Sequence, residues 1–250
     1  MQAFVTLVRR ELGALFLSWT GYVILGGVCF LIGCSFASLL QALNSEPTDQ
    51  PLTELYYSSV YFWLILLFAP PIITMRSFAL EKYSGTFETL MTVPIGDLQV
   101  VLAKFTGAVL FYILIWLPLV PCLLIARHYC NDPSVLDGGT LAASFLGIYL
   151  LGFVFMSFGC FASAITRSQV IASMITTAAV VSLFVLSYAA LGYSSQSGWI
   201  AEFASHLSLF EHMQDFARGI VDSRPVVLCL SLTFFFLFLT LKVVESRRWK

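Results

Sequence analysis

Along this chain the apolar residues come in long blocks, and the charged residues fall in short clusters between them. Six stretches hold no Asp, Glu, Lys, Arg or His: Trp19–Leu43, Tyr56–Met75, Phe105–Ala126, Thr140–Thr166, Ser168–Ala201 and Pro225–Leu241. A helix needs about 20 residues to cross roughly 30 Å of hydrocarbon. Five of the six stretches reach that length and the last comes close. The pattern predicts an all-α membrane protein in one domain over residues 1–250, with six transmembrane helices at about 19–43, 56–75, 105–126, 140–166, 168–193 and 225–244. Ahead of the first span, Phe4, Leu7, Val8, Leu12, Leu15 and Phe16 recur at helical spacing around Arg9, Arg10 and Glu11. That periodicity predicts an amphipathic helix over residues 1–18, lying at the membrane surface.

Within the spans, proline and small residues mark departures from regular packing. Ala69-Pro70-Pro71 near the end of span 2, and Pro118 and Pro121 in span 3, remove backbone donors and predict bends. Gly147, Gly152 and Gly159 lie in span 4, where Gly159 and Ser163 form a small-x-x-x-small pair, as Gly33 and Ala37 do in span 1. Such pairs let helices approach closely, either inside one bundle or along a seam between two chains. Spans 4 and 5 are separated only by Ile165-Thr166-Arg167-Ser168-Gln169, which predicts an antiparallel hairpin.

Composition sharpens this picture. The chain is 59% hydrophobic and 11% charged, whereas soluble domains hold about 25% charged residues. A cytoplasmic N-terminus puts Arg9, Arg10, Arg76, Lys82, Lys104, Arg167, Lys242, Arg247, Arg248 and Lys250 inside, and leaves only Arg127, Arg218 and Arg224 outside. This is the asymmetry of the positive-inside rule, so both termini are expected in the cytoplasm. The apolar region after Arg10 runs on to Leu43, longer than a signal-peptide core. Five of the six cysteines (Cys29, Cys34, Cys122, Cys160 and Cys229) fall inside spans and read as packing residues.

Candidate chemistry is sparse. Intramembrane charges mark ion paths and proton relays, and the charge-free stretches supply none, so energy for any work should come from another polypeptide. No histidine lies within a span, which disfavours Ser/His or Cys/His catalysis there, and no enzymatic activity is expected. Glu202, His206, Glu211, His212 and Asp215 in the last outer loop could line helix faces and hold a metal. The interleaved Phe203, Leu207, Phe210 and Phe216 better suit an amphipathic helix resting on the outer surface. The few bases are already accounted for by orientation, so no nucleic-acid partner is expected. No Gly-x-x-x-x-Gly-Lys-Ser/Thr occurs, so the chain carries no Walker-type phosphate cradle and binds no cofactor of its own.

The longest inner connection, Arg76–Lys104, reads RSFALEKYSGTFETLMTVPIGDLQVVLAK. Gly85 or Thr86 can begin a short helix whose Glu88 favours the positive dipole end. Phe87, Leu90 and Met91 share one face, Glu88, Thr89 and Thr92 share the other, and Pro94 stops the helix. Pattern alone leaves two readings open: a docking knob for a partner, or an interfacial helix that caps the bundle.

These same residues resemble the inner loop of ABC-2 type transporter permeases. The likeness rests on Arg76, Glu81-Lys82, Ser84-Gly85-Thr86-Phe87-Glu88-Thr89-Leu90, Val93-Pro94-Ile95 and Lys104. It continues in Arg9-Arg10-Glu11-Leu12 with Tyr22, in Arg167-Ser168-Gln169-Val170-Ile171-Ala172, in Glu211-His212 with Phe216–Asp222, and in Glu245–Trp249. Leu80 stands where many members carry a second acid, and Ala103 where a glycine often precedes the lysine. The chain is most similar to the branch of permeases linked to gliding motility and nitrous-oxide reductase maturation.

The resemblance implies a six-span permease subunit of an ATP-binding cassette exporter in a bacterial inner membrane. Such a subunit pairs with a second permease chain, identical or not, and ATP stays on separate cytoplasmic ATPase subunits. It places ATPase coupling on Arg76, Glu81, Lys82, Ser84, Gly85, Thr86, Phe87, Glu88, Leu90, Met91, Pro94 and Lys104. The alternative is a non-transporting membrane scaffold that passes ATPase motion to a motility or secretion assembly.

Overall fold

Charge-free runs of this length satisfy their backbone polar groups in a membrane only by bonding them internally, and the described residues of these runs are mostly α-helix. A computed structural model describes residues 2–45, 51–87, 96–130, 137–193 and 208–246. Its helices are α1 (Gln2–Phe16), α2 (Trp19–Ser45), α3 (Leu52–Tyr57), α4 (Val60–Thr74), α5 (Ala79–Ser84), α6 (Asp97–Trp116), α7 (Leu119–Cys130), α8 (Gly138–Ile165), α9 (Gln169–Tyr193), α10 (Leu209–Ala217) and α11 (Ser223–Ser246). Six stretches are long and apolar enough to cross a membrane: Trp19–Asn44, Val60–Ser84, Asp97–His128, Gly138–Ile165, Gln169–Tyr188 and Ser223–Ser246.

The bundle is assembled around α8, which packs against α4, α6, α9, α10 and α11. Its glycines explain why so many neighbours fit. A Cβ on Gly152 would stand 2.2 Å from the Tyr112 ring of α6, and one on Gly159 would stand 2.0 Å from Thr74 Oγ1 of α4. A Cβ on Gly147 would meet the Phe216 ring of α10 at 3.0 Å. These small residues therefore serve packing within the chain. Gly33, by contrast, faces open space.

Element boundaries depart from the charge-free runs in two places, each for a local reason. The run from Tyr56 is cut at Ser58-Ser59, where the Ser59 hydroxyl caps α4 by accepting from Phe62 N and also bonds Ser35 of α2 at 2.8 Å. This leaves α3 as a separate short helix, buried at Leu52, Thr53, Glu54, Tyr56 and Tyr57. The third span begins at Asp97, eight residues before Phe105, so Lys104 lies inside a helix. It breaks at Leu117-Pro118 and resumes as α7, as expected from proline's missing donor. Pro70 and Pro71, in contrast, sit inside α4, which continues to Thr74. The turn between α8 and α9 is as tight as the sequence requires, with helix ending at Ile165 and resuming at Gln169.

Charged residues gather at the two ends of the bundle. One end holds α1, α5, the start of α6 and the close of α8. The other holds α3 and α10, whose apolar side (Met213, Phe216, Ala217) is buried against the bundle.

Candidate functional site

The segment leaving α4 is fastened to α8 at both ends of α5. After Thr74 the chain turns through Met75–Phe78 into α5, and Ser163 of α8 fastens that turn from across the bundle. Its hydroxyl accepts from Phe78 N and Ala79 N, both at 3.0 Å, and donates to Met75 O at 3.2 Å. One side chain thereby satisfies two of the donors that a helix start leaves open. At the other end of α5, Lys82 Nζ donates to Ala164 O in the last turn of α8, where a cation also meets the negative end of the helix dipole. Gly85 then takes φ +74°, the left-handed conformation that a side chain resists, and closes α5. Thr86 and Phe87 are helical.

Beneath this turn lies an apolar cluster of its own. Phe78 and Phe87 pack with Val101, Cys160, Ala164, Leu237 and Val244, which tie together α6, α8 and α11. Lys104 Nζ stands 5.3 Å from the Phe78 ring centroid, and Lys82 Nζ 5.4 Å from that of Phe87, within range of cation–π attraction.

Beside the aromatics is a four-membered ion cluster. Lys104, 3% exposed, reaches Glu11 Oε1 of α1 and Glu81 Oε1 of α5, each at 2.9 Å. Arg10 Nη2 completes it, 3.2 Å from the same Glu81 oxygen. Two cations balance two carboxylates around the buried Lys104, while the Arg10 side chain stays 56% exposed and Glu81 Oε2 has no hydrogen-bond partner among the described residues. α1 can approach α6 this closely because Gly107 lies under it: a Cβ there would stand 2.9 Å from Glu11 Cβ. A cavity of about 200 Å³ opens beside the cluster, lined among others by Arg10, Arg76, Glu81, Ser84, Thr86 and Lys104.

The residues expected to couple to a partner are thus divided by the fold. Glu81 and Lys104 are buried in the ion cluster, and Lys82 is turned onto α8. Arg76 is half-buried, with Nη1 donating to Thr20 Oγ1 of α2. Ser84, Gly85 and Thr86 form the exposed tip, their two hydroxyls 2.8 Å apart. Phe87 is 7% exposed, so it anchors the segment to the bundle. Glu88, Leu90, Met91 and Pro94 lie outside the described residues. Sequence reasoning assigned no role in this cluster to Arg10, Glu11 or Ser163. Glu11 is 93 positions from Lys104, and no local pattern encodes a pairing at that distance. Ser163 was visible only as the partner of Gly159 in a packing motif.

A second polar constellation closes the opposite end. Glu54 on α3 accepts from Arg218 Nη2 at 2.7 Å, from Arg218 Nε at 3.0 Å and from Gln214 Nε2 at 3.0 Å. Thr53 Oγ1 donates to Ala217 O at 2.6 Å. The Arg218 guanidinium holds the Glu54 carboxyl below its ordinary range despite burial, and Glu54 in turn holds the guanidinium charged. Among the described residues no group of three His, Cys, Asp or Glu side chains is placed to hold a metal. Glu202 and His206 lie outside the described residues.

No match was found among curated proteins. A family model described as "ABC-2 family transporter protein" matches residues 21–243, from the first turn of α2 to the last turn of α11, with the α4–α6 connection inside the match. The chain therefore belongs to the ABC-2 family of membrane transporter proteins, whose members are transport components rather than catalysts.

Proposed function

We propose that this chain is the membrane-spanning subunit of an ATP-driven exporter and that separate ATP-binding cassette subunits push it at the connection between α4 and α6. The observation that carries this reading is the way that connection is fastened. The α5 segment is bonded to α8 through Ser163 and Lys82, and to α1 and α6 through the Glu81–Lys104–Glu11 cluster. A displacement applied at its exposed tip cannot be absorbed locally and passes into three elements of the bundle. A partner does work only through contacts that differ between two states of the bundle, and a stiff lever serves that purpose.

The burial of Phe87 sets the direction of docking. If the helix continues past Phe87, the face shared by Leu90 and Met91 follows Phe87 toward the bundle. Glu88, Thr89 and Thr92, with Ser84 and Thr86 at the tip, are then the surface offered to the ATPase. The distribution of bases supports a cytoplasmic position for this end in a bacterial inner membrane. ATP belongs to the partner, a second permease chain completes the transporter, and the bilayer surrounds both.

Purification in mild detergent tests the reading. A companion polypeptide bearing Gly-x-x-x-x-Gly-Lys-Ser/Thr should co-purify, and ATP hydrolysis by the complex should depend on this chain. Solute movement by the chain alone, driven by an ion gradient with no nucleotide consumed, would overturn it.

A further inference from the structure

The face between α2 and α4 carries a feature that coupling does not use. An apolar groove of about 320 Å³ runs between the two helices, lined by Val23, Gly27 and Leu31 on α2 and by Leu64, Phe68 and Ile72 on α4. It starts beside Thr20, whose hydroxyl is held by Arg76. Among the described residues no carboxylate lies within 4 Å of the Arg76 guanidinium, although the other buried or half-buried bases at this end, Lys104 and Lys82, are held by carboxylates or a helix-end carbonyl. Trp19, 88% exposed, stands at the same lip, the depth at which tryptophans meet headgroups.

We infer that this groove binds one acyl chain of an anionic phospholipid whose phosphate is held by Arg76. Length favours a lipid over a helix. From Thr20 to Leu31 the groove extends about 17 Å at a rise of ~1.5 Å per residue. That is close to the depth of one leaflet, half of a core about 30 Å thick, whereas a partner helix would press along the whole span. Charge gives the headgroup: Arg76 lines the neighbouring ion-cluster cavity and reaches the lip of the groove through Thr20. Its remaining guanidinium donors, which have no partner among the described residues, match phosphate oxygens, and the groove itself offers only the Thr20 hydroxyl and the Trp19 indole as polar groups. A second copy of the chain has a different place to pack, because Gly26, Gly33 and Ala37 are exposed on the neighbouring face of α2.

The test is lipid retention by the full chain, reconstituted in vesicles of equal phosphatidylglycerol and phosphatidylcholine, extracted, and weighed by native mass spectrometry. One phosphatidylglycerol should remain bound, preferred roughly tenfold or more, as a charge-assisted contact implies. Arg76→Gln should remove the preference. Gly27→Leu should remove retention of both lipids, because a Cβ at 27 meets nothing within 4 Å and the longer side chain fills the groove without disturbing the fold. Gly33→Leu, equally open, should leave retention unchanged. Equal retention of the two lipids by the wild type would overturn the inference. So would undiminished retention in Gly27→Leu, including the case where that variant loses self-association instead, which would assign the groove to a second copy.

Discussion

Lys104 shows what a single residue contributes and why its surroundings were illegible. The sequence marks it as a base at a helix start. Only the fold reveals that it is buried between carboxylates from two other elements. Its burial also explains how a charge lies within a helix counted as membrane-spanning: the pair partners replace the lost water. Lys104→Met should therefore destabilise the chain strongly, by about 3–5 kcal/mol, because Glu11 loses its partner and Glu81 keeps only the half-exposed Arg10. The check is thermal unfolding in detergent. A second residue-scale expectation concerns Gly152, where a Cβ would stand 2.2 Å from the Tyr112 ring. Gly152→Val should lower stability by about 1–3 kcal/mol through overpacking, while Gly33→Ala, facing open space, should be near neutral. Unfolding midpoints that rank these two variants the other way would remove the account of α8 as the packing hub.

At the scale of elements, the long helices were legible because a lack of charge over about 20 residues has few structural outcomes. α3 was not. Its apolar residues run on into those of α4, and the break comes from the Ser58-Ser59 hydroxyls, a capping choice worth about 1 kcal/mol that apolar continuity hides. Thr86 and Phe87 are helical, and the rest of the short helix expected after Gly85 lies outside the described residues. The burial of Phe87 was not legible, since an amphipathic pattern says that one face is covered without saying by what. Ser163→Ala should leave Phe78 N and Ala79 N without their acceptor. A loss of about 1–3 kcal/mol per buried orphaned donor is expected locally, visible as faster hydrogen exchange across residues 75–87 with α9 unaffected. Phe87→Asp, which places a charge in the apolar cluster, should produce the same loosening in the same exchange measurement.

For the whole molecule, the informative feature is that the two ends are closed by different chemistry. The α5 end combines ion pairs, helix-end bonds and an aromatic cluster. The far end depends on the clasp of Glu54 with Arg218 and Gln214. Nothing in the sequence joins positions 164 apart, so this clasp could not be anticipated from charge patterning. Because the Glu54 carboxyl titrates below its ordinary value of 4.5 in the folded chain, its stabilising effect is complete above that value. It is lost as pH falls through the lowered one. The stability difference between the wild type and Glu54→Gln should accordingly be largest near neutral pH and shrink on acidification below 4.5. A difference that grows in acid would mean that the carboxylate is not held by Arg218.

We propose that an ATPase grips this bundle at the tip between α5 and α6. Site-specific photo-crosslinking in native membranes tests it most directly, with the probe placed in turn at Thr86, Thr89, Thr92, Gly33 and Gly219. The expected result is an adduct with an ATP-binding cassette subunit from Thr86, Thr89 and Thr92 and none from the other two positions. Adducts with that subunit arising only from Gly219, at the opposite end, would contradict the account.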